Sequence, residues 1–104
     1  MEEIKEETRL ARVNPDKYFR VANGTIIKSL MELDGSLESM GEETFKYHVN
    51  DYRNDFSIWI RDVIKDGKLA DELLLSKDKC KTQVLVLRRI ISIIGENNGQ
   101  KNIS

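Results

Sequence analysis

A chain of 104 residues, 39% of them hydrophobic, is large enough for one buried core and too small for two domains. Its formal charge of -1 gives no global field for nucleic acid or an anionic membrane, and a single cysteine, Cys80, excludes an internal disulfide. The charged start MEEIKEETRLAR speaks against a secretory leader and no apolar run reaches bilayer length, so the expectation is a cytoplasmic protein with no membrane partner.

Residues 1–14 alternate charges with few apolar anchors and are expected as a flexible or helical lead-in. Pro15 interrupts any helix there. Next, Tyr18-Phe19-Arg20-Val21 and Thr25-Ile26-Ile27 flank Asn23-Gly24, which predicts a short hairpin closed by a type I′ turn. Ser29 and Glu32 form a capping box ahead of Leu30, Leu33, Leu37 and Met40, one face of a helix that Gly41 is expected to end. A brief helix over 42–49 should turn Phe45, His48 and Val49 inward.

After a loop at 50–53, Asn54 can cap the central helix, with Asp55 favourably placed in its first turn. Phe56, Trp59, Ile60, Val63 and Ile64 make one apolar stripe of that helix, with Ile58 off it on the side of Asp55 and Asp62. Asp66-Gly67 is expected to close it and to lead into a fourth helix carrying Leu69, Ala70, Leu73 and Leu74. Ser76 can cap the last helix, 77–94, which Gly95 should stop. Its principal stripe is Cys80, Val84, Leu87, Ile91 and Ile94, yet Leu85, Val86, Ile90 and Ile93 extend apolar character well beyond one face. Such a helix is buried on two sides or pairs with another chain. A strand over Val84–Leu87 is the lesser alternative.

The fold class is therefore mainly α, a small domain of about five helices with a short N-terminal β-hairpin. Residues 15–95 form the single globular domain and 96–104 a disordered polar tail. Its expected core is Leu33, Leu37, Phe45, Phe56, Trp59, Val84 and Leu87.

Chemistry has few carriers. His48 and Cys80 are the only imidazole and thiol, too few for a closed zinc site. Asp51, Asp55 and Asp62 fit three positions of a calcium loop, but Arg53 and Phe56 occupy positions that need an oxygen ligand and a glycine. No phosphate loop, dinucleotide fingerprint or nucleophile elbow is present. The expectation is no enzyme, no metal and no cofactor, with His48 a structural histidine and Cys80 an inert packer. Two interaction readings remain. Lys77, Lys79, Lys81, Arg88 and Arg89 against Asp78 give a local charge of +4 that could meet phosphates, while Glu32, Asp34, Glu38, Glu42 and Glu43 form an acidic counterpart. Protein association, a homodimer included, has the better case, from Ile58 and the surplus apolar surface of the last helix.

The runs SLMELDGSLESM, TFKYHVN and NDFSIWIRDVIKD followed by LA, between about Tyr18 and Leu74, resemble a prokaryotic domain family of unknown function that is well represented in archaea. The resemblance implies a small module of scaffold or regulatory type. It marks His48, Asn50, Asn54, Asp55, Trp59 and Asp62 as the positions of any shared functional surface, with Arg53 in the loop beside them. The leading expectation is a non-enzymatic protein-protein interaction module that presents this surface or the last helix. The alternative is a nucleic-acid-binding protein using the basic start of that helix.

Overall fold

The computed structural model describes residues 9–103, with side chains to residue 96. Of the lead-in expected at 1–14, residues 1–8 thus lie outside the described residues. The described chain holds a two-stranded hairpin and five helices, so the domain is mainly α as its periodicities predict.

A 3-10 turn at Pro15–Lys17 leads into β1 (Phe19–Arg20), which pairs antiparallel with β2 (Ile26–Ile27) in the register Phe19 with Ile27 and Arg20 with Ile26. The connection is not the expected type I′ turn. Of its residues only Gly24 has positive φ, 97°, and the Gly24 N–H donates to the Val21 carbonyl at 2.8 Å while the Val21 N–H donates to that of Thr25, also at 2.8 Å. That is a three-residue loop, a type I turn followed by a glycine bulge, which leaves Asn23 free of positive φ and lets its Oδ1 accept from the Thr25 N–H at 2.9 Å.

Helix α1 (Leu30–Ser39) starts at the predicted cap, Ser29 Oγ accepting from the Glu32 N–H at 3.2 Å, while Glu32 Oε1 reaches back one residue beyond the cap to accept from the Lys28 N–H at 2.9 Å. Leu30, Leu33 and Leu37 are fully buried beneath it. The helix ends in extended backbone at Met40, and Gly41, at φ -76°, heads α2 (Glu42–His48) instead of terminating α1 in a left-handed turn. Asn54 Oδ1 accepts from the Ser57 N–H at 3.0 Å to open α3 (Asp55–Trp59).

Here the expected single rod changes pitch. Residues Ile60–Ile64 continue α3 as a π-turn, in which the Lys65 N–H reaches the Ile60 carbonyl, and Lys65 itself takes the left-handed conformation, φ 69°. Lys65, and not Asp66-Gly67, closes the helix. Asp66 begins α4 (Gly67–Leu73), its Oδ1 accepting from the Leu69 N–H at 3.2 Å, and Leu74, expected within this helix, follows its last residue and is exposed.

Helix α5 (Lys79–Ile103) lies against α1 and α4. Asp78 caps it in place of Ser76, with Oδ2 accepting from the Lys81 N–H at 2.9 Å. The helix runs through Gly95, so the segment 96–104 expected as a disordered tail continues it as far as residue 103. A glycine in a helix interior costs about 1 kcal/mol relative to alanine, which penalises the helix without stopping it. The strand alternative over Val84–Leu87 does not apply, since these residues are helical.

The core also differs from expectation in one respect. Leu33, Leu37, Phe45, Phe56 and Trp59 are buried as predicted, but Val84 and Leu87 face solvent and Val86, Ile90 and Ile93 take their place. Both stripes of α5 are apolar at helical spacing, and periodicity alone does not say which of two such stripes the body covers.

Candidate functional site

The residues from His48 to Asp62 are brought together, but mostly to serve one another. His48 closes α2 with its ring in the core, edge-on to Phe19 at 5.1 Å and beside Phe56 at 5.3 Å. Its Nε2 accepts from the Ala22 N–H at 3.0 Å, which requires that nitrogen to be unprotonated. The proton is then on Nδ1, donated to Asp55 Oδ2 at 3.0 Å. The imidazole thus pins the hairpin turn to the start of α3, with both ring nitrogens engaged.

Asp55 Oδ2 also meets Arg53 Nε at 3.3 Å. The Arg53 guanidinium lies over the Tyr47 ring, 4.7 Å from its centre, and donates to the Tyr47 carbonyl at 2.8 Å. Asn50 binds its own loop, donating to the Lys46 and Tyr47 carbonyls at 3.0 and 3.3 Å and accepting from the Tyr52 N–H at 2.9 Å. Besides its cap, Asn54 donates to the Leu73 carbonyl at 3.2 Å, and Ser57 Oγ donates to that of Ala70 at 2.7 Å, so α3 is tied to α4 by buried polar bonds. The Trp59 indole, buried, donates to the Lys17 carbonyl at 2.8 Å and seats the 3-10 turn. Of the predicted surface, Asp62 is exposed with no such bond among the described residues. It lines a groove of about 680 Å³ with Arg9, Arg12, Lys17 and Lys65.

The basic set at the start of the last helix is likewise dispersed. Lys79 Nζ donates to the Leu37 carbonyl at 2.8 Å, where a cation suits the C-terminal end of α1. Lys77 pairs with Asp51 at 2.8 Å, and that ammonium holds the Asp51 carboxyl below its ordinary range, chiefly by its hydrogen bond. Arg89 is committed to Asp66, Nε to Oδ2 at 2.7 Å, where Arg9 also arrives at 3.4 Å. Asp66 is buried, so one carboxylate caps α4 and joins α5 to the N-terminal segment. Of the five, Lys81 and Arg88 lie on the surface with no such partner among the described residues. The position of Arg89 between Val86 and Ile90 on the inward arc was the available signal, outweighed by its neighbour Arg88.

The feature that sequence reasoning placed on the wrong side is the outer face of α5. Val84, Leu87, Ile91 and Ile94 are 50, 43, 59 and 41% exposed, in line with the exposed thiol of Cys80. Beside them, Leu75 is 85% exposed and shares with Cys80, Val84, Leu85 and Arg88 a mainly apolar groove of about 520 Å³. Isolated exposed apolar residues are ordinary on a surface, whereas a continuous strip along four helical turns is not. No helix among the described residues is long and apolar enough to cross a membrane, and none of their His, Cys, Asp and Glu side chains form a group of three able to hold a metal.

No curated protein and no solved structure matches the chain. Residues 12–103 match a family of unknown function, DUF5752, a span that adds the whole of α5 to the Tyr18–Leu74 stretch carrying the earlier resemblance. With all but the two ends of its sequence matched, the chain belongs to this family of unknown function.

Proposed function

We propose that the chain is a non-catalytic protein-interaction module whose docking surface is the outer face of α5. The observation that carries this reading is the exposed row Cys80, Val84, Leu87, Ile91 and Ile94 opposite a buried row, Val86, Ile90 and Ile93, on the same helix. A second apolar row has no use in the core and costs solubility unless it is covered. The groove formed with Leu75 gives the row relief, and anchors entering such relief contribute most of the energy of a protein interface.

Catalysis has less support. The chain's one imidazole is held at both nitrogens, and the side chains grouped around it are committed to caps and turns. Nucleic-acid binding is weakened in the same way, because Lys77, Lys79 and Arg89 are each engaged within the domain. An exposed thiol at Cys80 suits a reducing compartment such as the cytoplasm.

The test is the double substitution Leu87→Asp with Ile91→Asp. Both side chains lie on the surface, so the circular dichroism spectrum should match the parent's, and so should the melting temperature at concentrations too low for self-association. Association, whether with itself or with polypeptides that copurify from the native cell, should be lost. A parent protein that is monomeric and brings down the same material as the double variant would overturn the reading.

A further inference from the structure

We infer that the polypeptide docked on this face is a second copy of the chain, with the two α5 helices side by side, parallel and in register. This rests on the docking reading above and adds the partner and its orientation.

The exposed row steps by four, three, four and three residues, the spacing of a and d positions in a heptad repeat. Val84 and Ile91 take the a positions, and Cys80, Leu87 and Ile94 the d positions. β-branched residues at a with leucine at the central d favour two parallel strands. An isologous contact also needs a surface that complements itself, and a straight row of aliphatic side chains along a helix does so about a twofold axis.

The charges beside the row choose the orientation. Lys81 and Arg88 fall at e positions, and Gln83 and Ile90 at g. In a parallel pair, g of one copy faces e of the other, which sets Gln83 beside Arg88 with no like charges opposed. In an antiparallel pair with the rows fully overlapped, e faces e and the two Arg88 guanidinium groups meet. Like charges in direct opposition disfavour that arrangement.

The area is adequate for a modest dimer. The row and Leu75 offer on the order of 500 Å² of apolar surface per copy, and the aliphatic stems of Lys81 and Arg88 bring the total toward the ~800 Å² per partner of a standard interface. Affinity at the low end of that class, in the micromolar range, is expected.

Cys80 supplies the test, because only the parallel, in-register pair sets the two Cys80 residues opposite each other at one d layer, within bridging distance. The purified chain is followed by light scattering from nanomolar to hundreds of micromolar concentration, then treated with diamide, which takes up the two protons and two electrons released as two thiols join. The expected result is a concentration-dependent dimer and rapid formation of a disulfide-linked dimer on non-reducing gels. Cys80→Ser should abolish the link and keep the dimer. Leu87→Asp with Ile91→Asp, which retains Cys80, should abolish the dimer and slow the linkage to the rate of chance collisions. A dimer that links no faster than this double variant overturns the parallel arrangement. A parent that stays monomeric at every concentration, yet binds another polypeptide through α5, overturns the second-copy inference and leaves the docking reading standing. A parent that neither dimerises nor differs from the double variant in any association removes both.

Discussion

Around His48 a dense set of polar groups bonds mostly within the domain, while along the outer face of α5 a set of aliphatic groups stands about half exposed. His48, Asn50, Arg53, Asn54 and Asp55 spend their donors and acceptors on one another and on the backbone at Ala22, Tyr47 and Leu73. Leu87 and Ile91 lie 43 and 59% exposed on a helix whose other side is sealed. In this domain the residue types usually associated with chemistry hold the fold, and those usually associated with the fold are offered outward. Burial and bonding state, more than residue type, mark where a partner can act.

The contrast is first tested by truncation. Phe56→Ala should destabilise the protein by about 3–5 kcal/mol in urea unfolding, since the ring is fully buried against Phe19, Phe45 and His48. Ile91→Ala, an equally apolar residue on the open face, should stay within about 0.5 kcal/mol in the monomer. Comparable losses would mean that the outer face is part of the monomer's core after all.

Asp66→Ala comes next, at about 3 kcal/mol, because it removes a helix cap and leaves the largely buried Arg89 without its carboxylate. A loss below about 1 kcal/mol would reduce that cluster to a surface ion pair. His48→Ala should cost about 2 kcal/mol by leaving the Ala22 N–H and the Asp55 carboxylate short of a partner each. Nitrogen NMR of the parent sharpens this: the proton should reside on Nδ1, and a ring protonated on Nε2 would refute the assignment of both bonds.

The smallest effect concerns Asp34 on α1, whose Oδ1 is buried without a hydrogen-bond partner among the described residues. Burial first, then the charge of Glu38, holds its carboxyl above the usual range. An acid whose pKa is higher in the folded state costs stability once ionised, and that cost disappears as pH falls through the raised value. Asp34→Asn should therefore stabilise by about 0.5 kcal/mol at neutral pH, discounted for partial exposure. The gain should shrink on acidification; a gain that grew instead would reverse the sign of this argument.

Much of the fold could be read from local chemistry. The Ser29–Glu32 box and the Asn54 cap begin helices where their side chains can reach free backbone N–H groups, and the apolar spacing of Phe56, Trp59, Ile60 and Ile64 fixed the inward side of the central segment. Helix ends were less legible. Gly41, Gly67 and Gly95 were natural stops, yet glycine only permits a left-handed turn, and the residue that adopts one at the close of the central helix is Lys65. The candidate site was hidden for a different reason. With two apolar rows on α5, which one faces inward depends on where α1 and α4 lie, a tertiary fact that no window of sequence contains.

The hydrogen bond from the Trp59 indole to the Lys17 carbonyl has a practical consequence. Trp59 is the chain's one tryptophan, and its ring also meets Phe19 of the hairpin edge-on at 5.9 Å. Its fluorescence therefore reports on the seating of segment 15–27, while circular dichroism follows the helices. A red-shifted emission that precedes the loss of ellipticity on heating would identify the hairpin as the first part of the domain to peel away.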